Sequence, residues 1–74
     1  MSPRLPNINP KQAVGAFTKA GFSVVGQKGS HVRLVNSSGI QLIIPHHSKD
    51  LKRPLMKALI KEAGLTEEEF RKFL

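Results

Sequence analysis

Three histidines, His31, His46 and His47, stand out in a chain of 74 residues that has no cysteine and five carboxylates. The carboxylates are unevenly placed: Asp50 is the only one before Glu62, and Glu67, Glu68 and Glu69 follow near the C-terminus. Two-metal phosphodiester chemistry needs several Asp or Glu oxygens converging on the ions. The body of this chain lacks them. A Ser-His-acid triad needs an acid to orient its imidazole, and Asp50 is again the sole candidate. Thiolate zinc sites are closed off, and a site built from His31, His46 and His47 would have no acidic or thiolate partner, so no metal and no other cofactor is expected. What remains is a substrate that carries its own nucleophile. The 2′-hydroxyl of RNA can attack the neighbouring phosphorus, so a protein need supply only a proton-transferring group and positive charge beside the crowded phosphate. Histidine and a cationic surface provide both.

The charge distribution favours such a ligand. Formal net charge is +7, and residues 1 to 61 hold ten Lys or Arg against one Asp, a local excess of +9. An excess of this kind attracts polyanions across a Debye length of roughly 8 to 10 Å at physiological salt. A chain this short is one domain that buries about 60% of the surface its unfolded form exposes, so a deep substrate cavity is not expected. No apolar run approaches the roughly 20 residues that cross a bilayer, and Met1-Ser2-Pro3-Arg4 does not lead into an apolar signal segment. The expectation is a protein of the cytoplasm without a membrane partner.

The elements that must position these side chains follow from spacing and turn residues. Met1 to Ile8 is polar, contains Pro3 and Pro6 and shows no periodicity, which predicts a flexible N-terminal arm over residues 1–8 and a single domain over 9–74. Asn9 before Pro10 reads as a helix start, Ala13, Val14, Phe17 and Ala20 form an apolar stripe, and Gly21 suits a left-handed stop. Residues 22–27, 31–36 and 40–44 read as three strands joined by short turns at Lys28-Gly29-Ser30 and Ser37-Ser38-Gly39, an antiparallel meander. Pro54 opens a second helix. Its apolar face is Leu55, Met56, Leu59, Ile60 and Ala63, and Arg53, Lys57 and Lys61 make a basic ridge. Gly64 ends it, and Thr66 with Glu69 is a capping box for a last short helix. Phe17, Phe22, Phe70 and Phe73 all fall on apolar positions and belong to the core rather than to base stacking. The fold class is α+β: helix, three-stranded antiparallel sheet, helix and short C-terminal helix, the order seen in double-stranded-RNA-binding domains. Topology does not fix function.

In the middle strand, period two puts Val32 and Leu34 on the core face and His31 and Arg33 on the other. His31 thus follows a glycine turn at the mouth of a strand, near Lys28 and Arg33 in sequence. Imidazole, with an ordinary pKa near 6.5, can give or take a proton near neutrality. On spacing alone an exposed strand histidine without a role explains the position better.

The segment Gly21-Phe22-Ser23-Val24-Val25-Gly26-Gln27-Lys28-Gly29-Ser30-His31 resembles a signature of HicA-type toxins, also described as YcfA-like: Gly-Phe, then Gln, a Lys or Arg, Gly, Ser and His. Pro45-His46-His47 matches their Pro-x-His. Leu51-Lys52 and Ile60-Lys61-Glu62-Ala63-Gly64-Leu65 also follow the family pattern, so the resemblance covers about residues 8 to 74. The chain departs from it at Gly26, where many members carry Arg, and at Arg53-Pro54-Leu55, which replaces Gly-Thr-Leu.

The resemblance implies a type II toxin that cleaves messenger RNA without metal or ribosome, and a HicB-type antitoxin that neutralises it. The histidine of its Gly-Ser-His is the catalytic one, which here is His31. The RNA-binding set it suggests is Lys28, Gly29, Ser30, Arg33, Lys49, Lys52 and Arg53, with His47 shaping the loop or touching RNA and His46 on the surface. Charge argues that the antitoxin is acidic and covers His31. A non-catalytic RNA-binding module of the same fold is the alternative, and cleavage separates the two.

Overall fold

A computed structural model describes residues 5–46 and 49–74. Asn9 starts the first helix through a reciprocal cap: its side chain accepts from the Gln12 N–H at 2.7 Å while Gln12 accepts from the Asn9 N–H at 3.0 Å. With Pro10 in the first turn, where no intrahelical donor is needed, this fixes α1 as Pro10–Lys19. Gly21 takes φ 105, which lets its own N–H reach the Thr18 carbonyl and the Phe22 N–H reach that of Phe17. That reversal lays Phe22 edge-on against Phe17, ring centroids 5.8 Å apart.

The chain then forms β1 (Ser23–Lys28), β2 (His31–Val35) and β3 (Gln41–Pro45), antiparallel in the order β1-β2-β3. At the second turn the Asn36 side chain accepts from the backbone N–H groups of Ser38 and Ile40. The helices α2 (Arg53–Glu62) and α3 (Glu67–Arg71) follow. This is the α+β arrangement expected from the sequence. Thr66 and Glu69 cap α3 reciprocally. Those bonds, from the Thr66 backbone first, hold the Glu69 carboxyl below its ordinary range. Their contribution is present at neutral pH and is lost as acid protonates Glu69.

The core lies on one side of the sheet. Val32 and Leu34 of β2 and Leu42 and Ile44 of β3 are buried with Phe17, Met56, Leu59, Ile60 and Phe70, and Phe17 and Phe70 meet at 4.9 Å between ring centroids. Phe22 is buried as well, and Phe73 packs partly buried against the cluster. Edge strand β1 contributes no buried residue. Its ladder with β2 shifts register between Val24 and Gly26, leaving Val25 as an extra residue.

The N-terminal segment departs from the loose arm expected over residues 1–8. Leu5 and Ile8 are core residues, 2% and 1% exposed. Ile8 bridges to Leu51, whose N–H donates to the Ile8 carbonyl at 2.8 Å, and Arg53 Nε donates to the Leu5 carbonyl at 3.3 Å. Two apolar side chains suffice to dock an irregular segment when a groove awaits them. The prolines and polar neighbours conceal that, because docking of this kind leaves no periodicity to read. Residues 1–4 lie outside the described residues.

The docking has a measurable consequence. Ile8→Ala should lower stability by about 2 to 5 kcal/mol, as expected for truncating a buried aliphatic side chain. Val25→Ala, at a residue 51% exposed, should stay within about 0.5 kcal/mol. Urea midpoints at constant slope read both, and equal small losses would mean that the segment is held only loosely.

Candidate functional site

His31 is exposed at the first position of β2, with Lys28 directly opposite on β1 and Pro45 directly opposite on β3. Two residues along, Arg33 faces Gly26 and Ile43, and Val35 then faces Ser23 and Gln41. Directly opposed residues share a face of the sheet. This is the face that the helices leave uncovered, since the alternate positions Val32 and Leu34 are buried. The outcome matches the expectation that His31 and Arg33 share the open side.

The turn before His31 is built to place it. Lys28 and His31 are paired, so Gly29 and Ser30 form a two-residue connection. Gly29 alone in it has positive φ, +58, the arrangement of a type II′ hairpin turn, whose twist suits the strands. Gln27 Nε2 donates to the Gly29 carbonyl at 3.1 Å, and the His46 N–H donates to the Ser30 carbonyl. The peptide leading into His31 is therefore held from β1 and from the end of β3.

Around His31 the face forms an open concavity of about 670 Å³, with Lys28, Arg33 and Gly26 at its walls and Gln27, Gln41 and Ile43 completing it. No carboxylate lines it among the described residues. An anion placed there meets an imidazole between an ammonium and a guanidinium. Among the described residues no three His, Cys, Asp or Glu side chains come together as a metal cage would require.

The other residues named from the sequence are distributed differently. Lys49 and Lys52 are exposed in the connection that leaves β3 at Pro45, the register partner of His31. Arg53 begins α2 and reaches Leu5, lining a separate concavity of about 260 Å³ with Leu5, Lys57 and Glu67. The structure thus brings Lys28, His31 and Arg33 together and sets Arg53 apart from them. His46 is exposed, and His47 lies outside the described residues. Gln41 and Ile43 were not singled out from the sequence. Period two on β3 together with the short Asn36–Ile40 turn could have revealed them, since both place alternate residues of β3 beside Arg33 and Val35.

The open face thus carries an exposed imidazole at the start of β2 beside Lys28 and Arg33, on an α+β fold, and comparison with known families says what kind of protein this is. Residues 10–65 match the family described as HicA toxin of bacterial toxin-antitoxin systems. The chain belongs to that family. No individual curated protein matches it.

The hairpin argument is testable on its own. A Cβ at Gly29 would meet nothing within 4 Å, so the cost of Gly29→Ala comes from the left-handed backbone alone, about 1 to 2 kcal/mol. Gly26→Ala, at an ordinary φ and also in open space, should cost nothing. Denaturation midpoints that fall equally for both would show that the turn does not depend on positive φ at Gly29.

Proposed function

We propose that this toxin is a metal-independent endoribonuclease acting on messenger RNA in the cytoplasm, with His31 as the catalytic residue. The observation that carries the reading is the exposed His31 imidazole flanked by Lys28 and Arg33 on a face lined by no carboxylate among the described residues. His31 assists attack of the 2′-hydroxyl on the adjacent phosphorus by taking its proton. The bond to the 5′-oxygen of the next nucleotide breaks, that oxygen takes up a proton from water or from the His31 imidazolium, and a 2′,3′-cyclic phosphate and a free 5′-hydroxyl result. Lys28 and Arg33 stabilise the negative charge that concentrates on the phosphoryl oxygens in the transition state. Lys49 and Lys52 extend the cationic track for the RNA backbone, and Gly29 and Ser30 present the turn that seats the phosphate. Arg53, which the structure sets apart from the His31 cluster, and His47 are carried only as further proposed RNA contacts. Family membership implies an antitoxin partner, and the reading proposed here makes it an acidic HicB-type protein that covers His31 and competes with RNA for Lys28 and Arg33.

Purified protein should cut single-stranded RNA in the presence of a chelator, and a substrate with deoxyribose at the cut position should resist, because it lacks the internal nucleophile. Activity that disappears with chelator and returns with magnesium, or equal cutting of the deoxy substrate, would overturn the mechanism.

His31→Ala should lower cleavage by at least about a hundredfold, the usual scale of a lost proton-transfer group, and should relieve growth inhibition. Because His31 is exposed, its circular dichroism, denaturation midpoint and RNA affinity should stay near those of the parent. A His31→Ala protein that still cuts at the parental rate would leave only an RNA-binding role for this face.

A further inference from the structure

The open face changes character along the strands, and the function proposed above uses only one end of it. Lys28, His31 and Arg33 supply charge and a proton carrier. Beside Arg33 the concavity continues over Ile43, and one row further along over Gln41. From His31 to the Arg33–Ile43 row is two residues, and to the Val35–Gln41 row four, or roughly 7 and 13 Å at strand spacing. Neither Ile43 nor Gln41 is needed by the core. Ile43 is 40% exposed on the uncovered face, and the Gln41 side chain has no hydrogen-bond partner among the described residues. By contrast, Gln27, the other glutamine in the concavity, has its amide N–H engaged by the turn.

Across Arg33 from Ile43 stands Gly26. Its backbone does not require glycine, since its φ is not in the left-handed region and a Cβ would meet nothing within 4 Å. What the missing side chain leaves is space on the open face, level with Ile43. The concavity therefore runs from the open side of Gly26 past Arg33 to Ile43 and Gln41, and sets one exposed apolar side chain and one uncommitted amide beside a cationic phosphate seat. That chemistry fits a nucleobase: a flat apolar ring needs a dry contact, and its polar edge needs a group that both donates and accepts.

We infer that Gly26, Ile43 and Gln41 form a base subsite for a nucleotide next to the scissile phosphate, with Ile43 carrying the ring and Gln41 reading its edge. This rests on the proposal that RNA is the substrate and that its phosphate sits at His31. The subsite makes the toxin selective for the base at that position, and the catalytic residue has no part in the selection.

The test uses the full chain and short single-stranded RNAs that differ only at the nucleotides flanking the cut, together with versions abasic at those positions. Ile43→Thr keeps a β-branched strand former while removing the apolar floor, and Gly26→Val fills the slot at a position where the fold has room. Each should raise KM about tenfold at nearly unchanged kcat, the scale of a lost or blocked apolar contact, and neither should matter on the substrate abasic at the recognised position. Gln41→Ala should level the kcat/KM ratios among the four bases there. Unchanged KM and unchanged base preference in all three folded variants would overturn the subsite. Binding to RNAs with a 2′-O-methyl group at the cut site, measured on His31→Ala protein, gives a second readout that needs no catalysis. Base-selective binding lost in the Gln41→Ala, His31→Ala double variant supports the subsite even if the parent does not cut. Cleavage indifferent to Gln41, Ile43 and Gly26 refutes the subsite while leaving His31 catalysis standing.

Discussion

Val32, Leu34, Leu42 and Ile44 can be removed from water only against the helices, and that single requirement organises the molecule. The sheet has three strands and helices on one side, so one face of β2 is dry and the other wet. Period two leaves no freedom after that: with Val32 and Leu34 inside, His31 and Arg33 must stand outside. A slip of one residue in the ladder would bury His31 and expose the core residues. The Gly29–Ser30 connection and the Asn36 turn prevent such a slip by fixing where each strand begins. The chemistry proposed for the open face is therefore anchored by packing on the opposite one.

Charge is segregated by the same architecture. The glutamates gather at the end of α2 and in the first turn of α3, where Glu67, Glu68 and Glu69 stand at a helix N-terminus that favours negative charge. Placed there, they stabilise a short helix that would otherwise be marginal, and they leave the concavity around His31 without a carboxylate among the described residues. A phosphate approaching the sheet thus meets cations that no neighbouring acid in the concavity offsets. A field of that sign acts on any polyanion, protein or nucleic acid, and the family is one of toxins that belong to toxin-antitoxin systems.

Strand β1 shows how little a site of this kind needs from the core. None of its residues is buried, and its ladder carries a bulge at Val25. Its value lies in what it holds: Lys28 beside His31, Gln27 bracing the turn, and Gly26 leaving space opposite Arg33. A bulge also twists an edge strand away from the flat geometry that invites pairing with another chain.

The sequence by itself determined the order of helices and strands, the caps at Asn9 and Thr66, the stops at Gly21 and Gly64, the side of the sheet on which His31 and Arg33 stand, and the motifs of the family. Each of these depends on residues two to four positions apart, where backbone geometry alone relates one side chain to the next. Only the tertiary structure decided that Leu5 and Ile8 belong to the core, that Arg53 turns to the Leu5 carbonyl instead of joining His31, and that Gln41 and Ile43 complete the concavity around it. Leu5 and Arg53 are 48 positions apart, and the neighbours of Arg33 come from two other strands. Such contacts follow from how whole elements pack and in what register they pair: alternation along β3 and the short turn before it could have suggested Gln41 and Ile43, whereas no local spacing encodes the docking of Leu5 or the direction of Arg53.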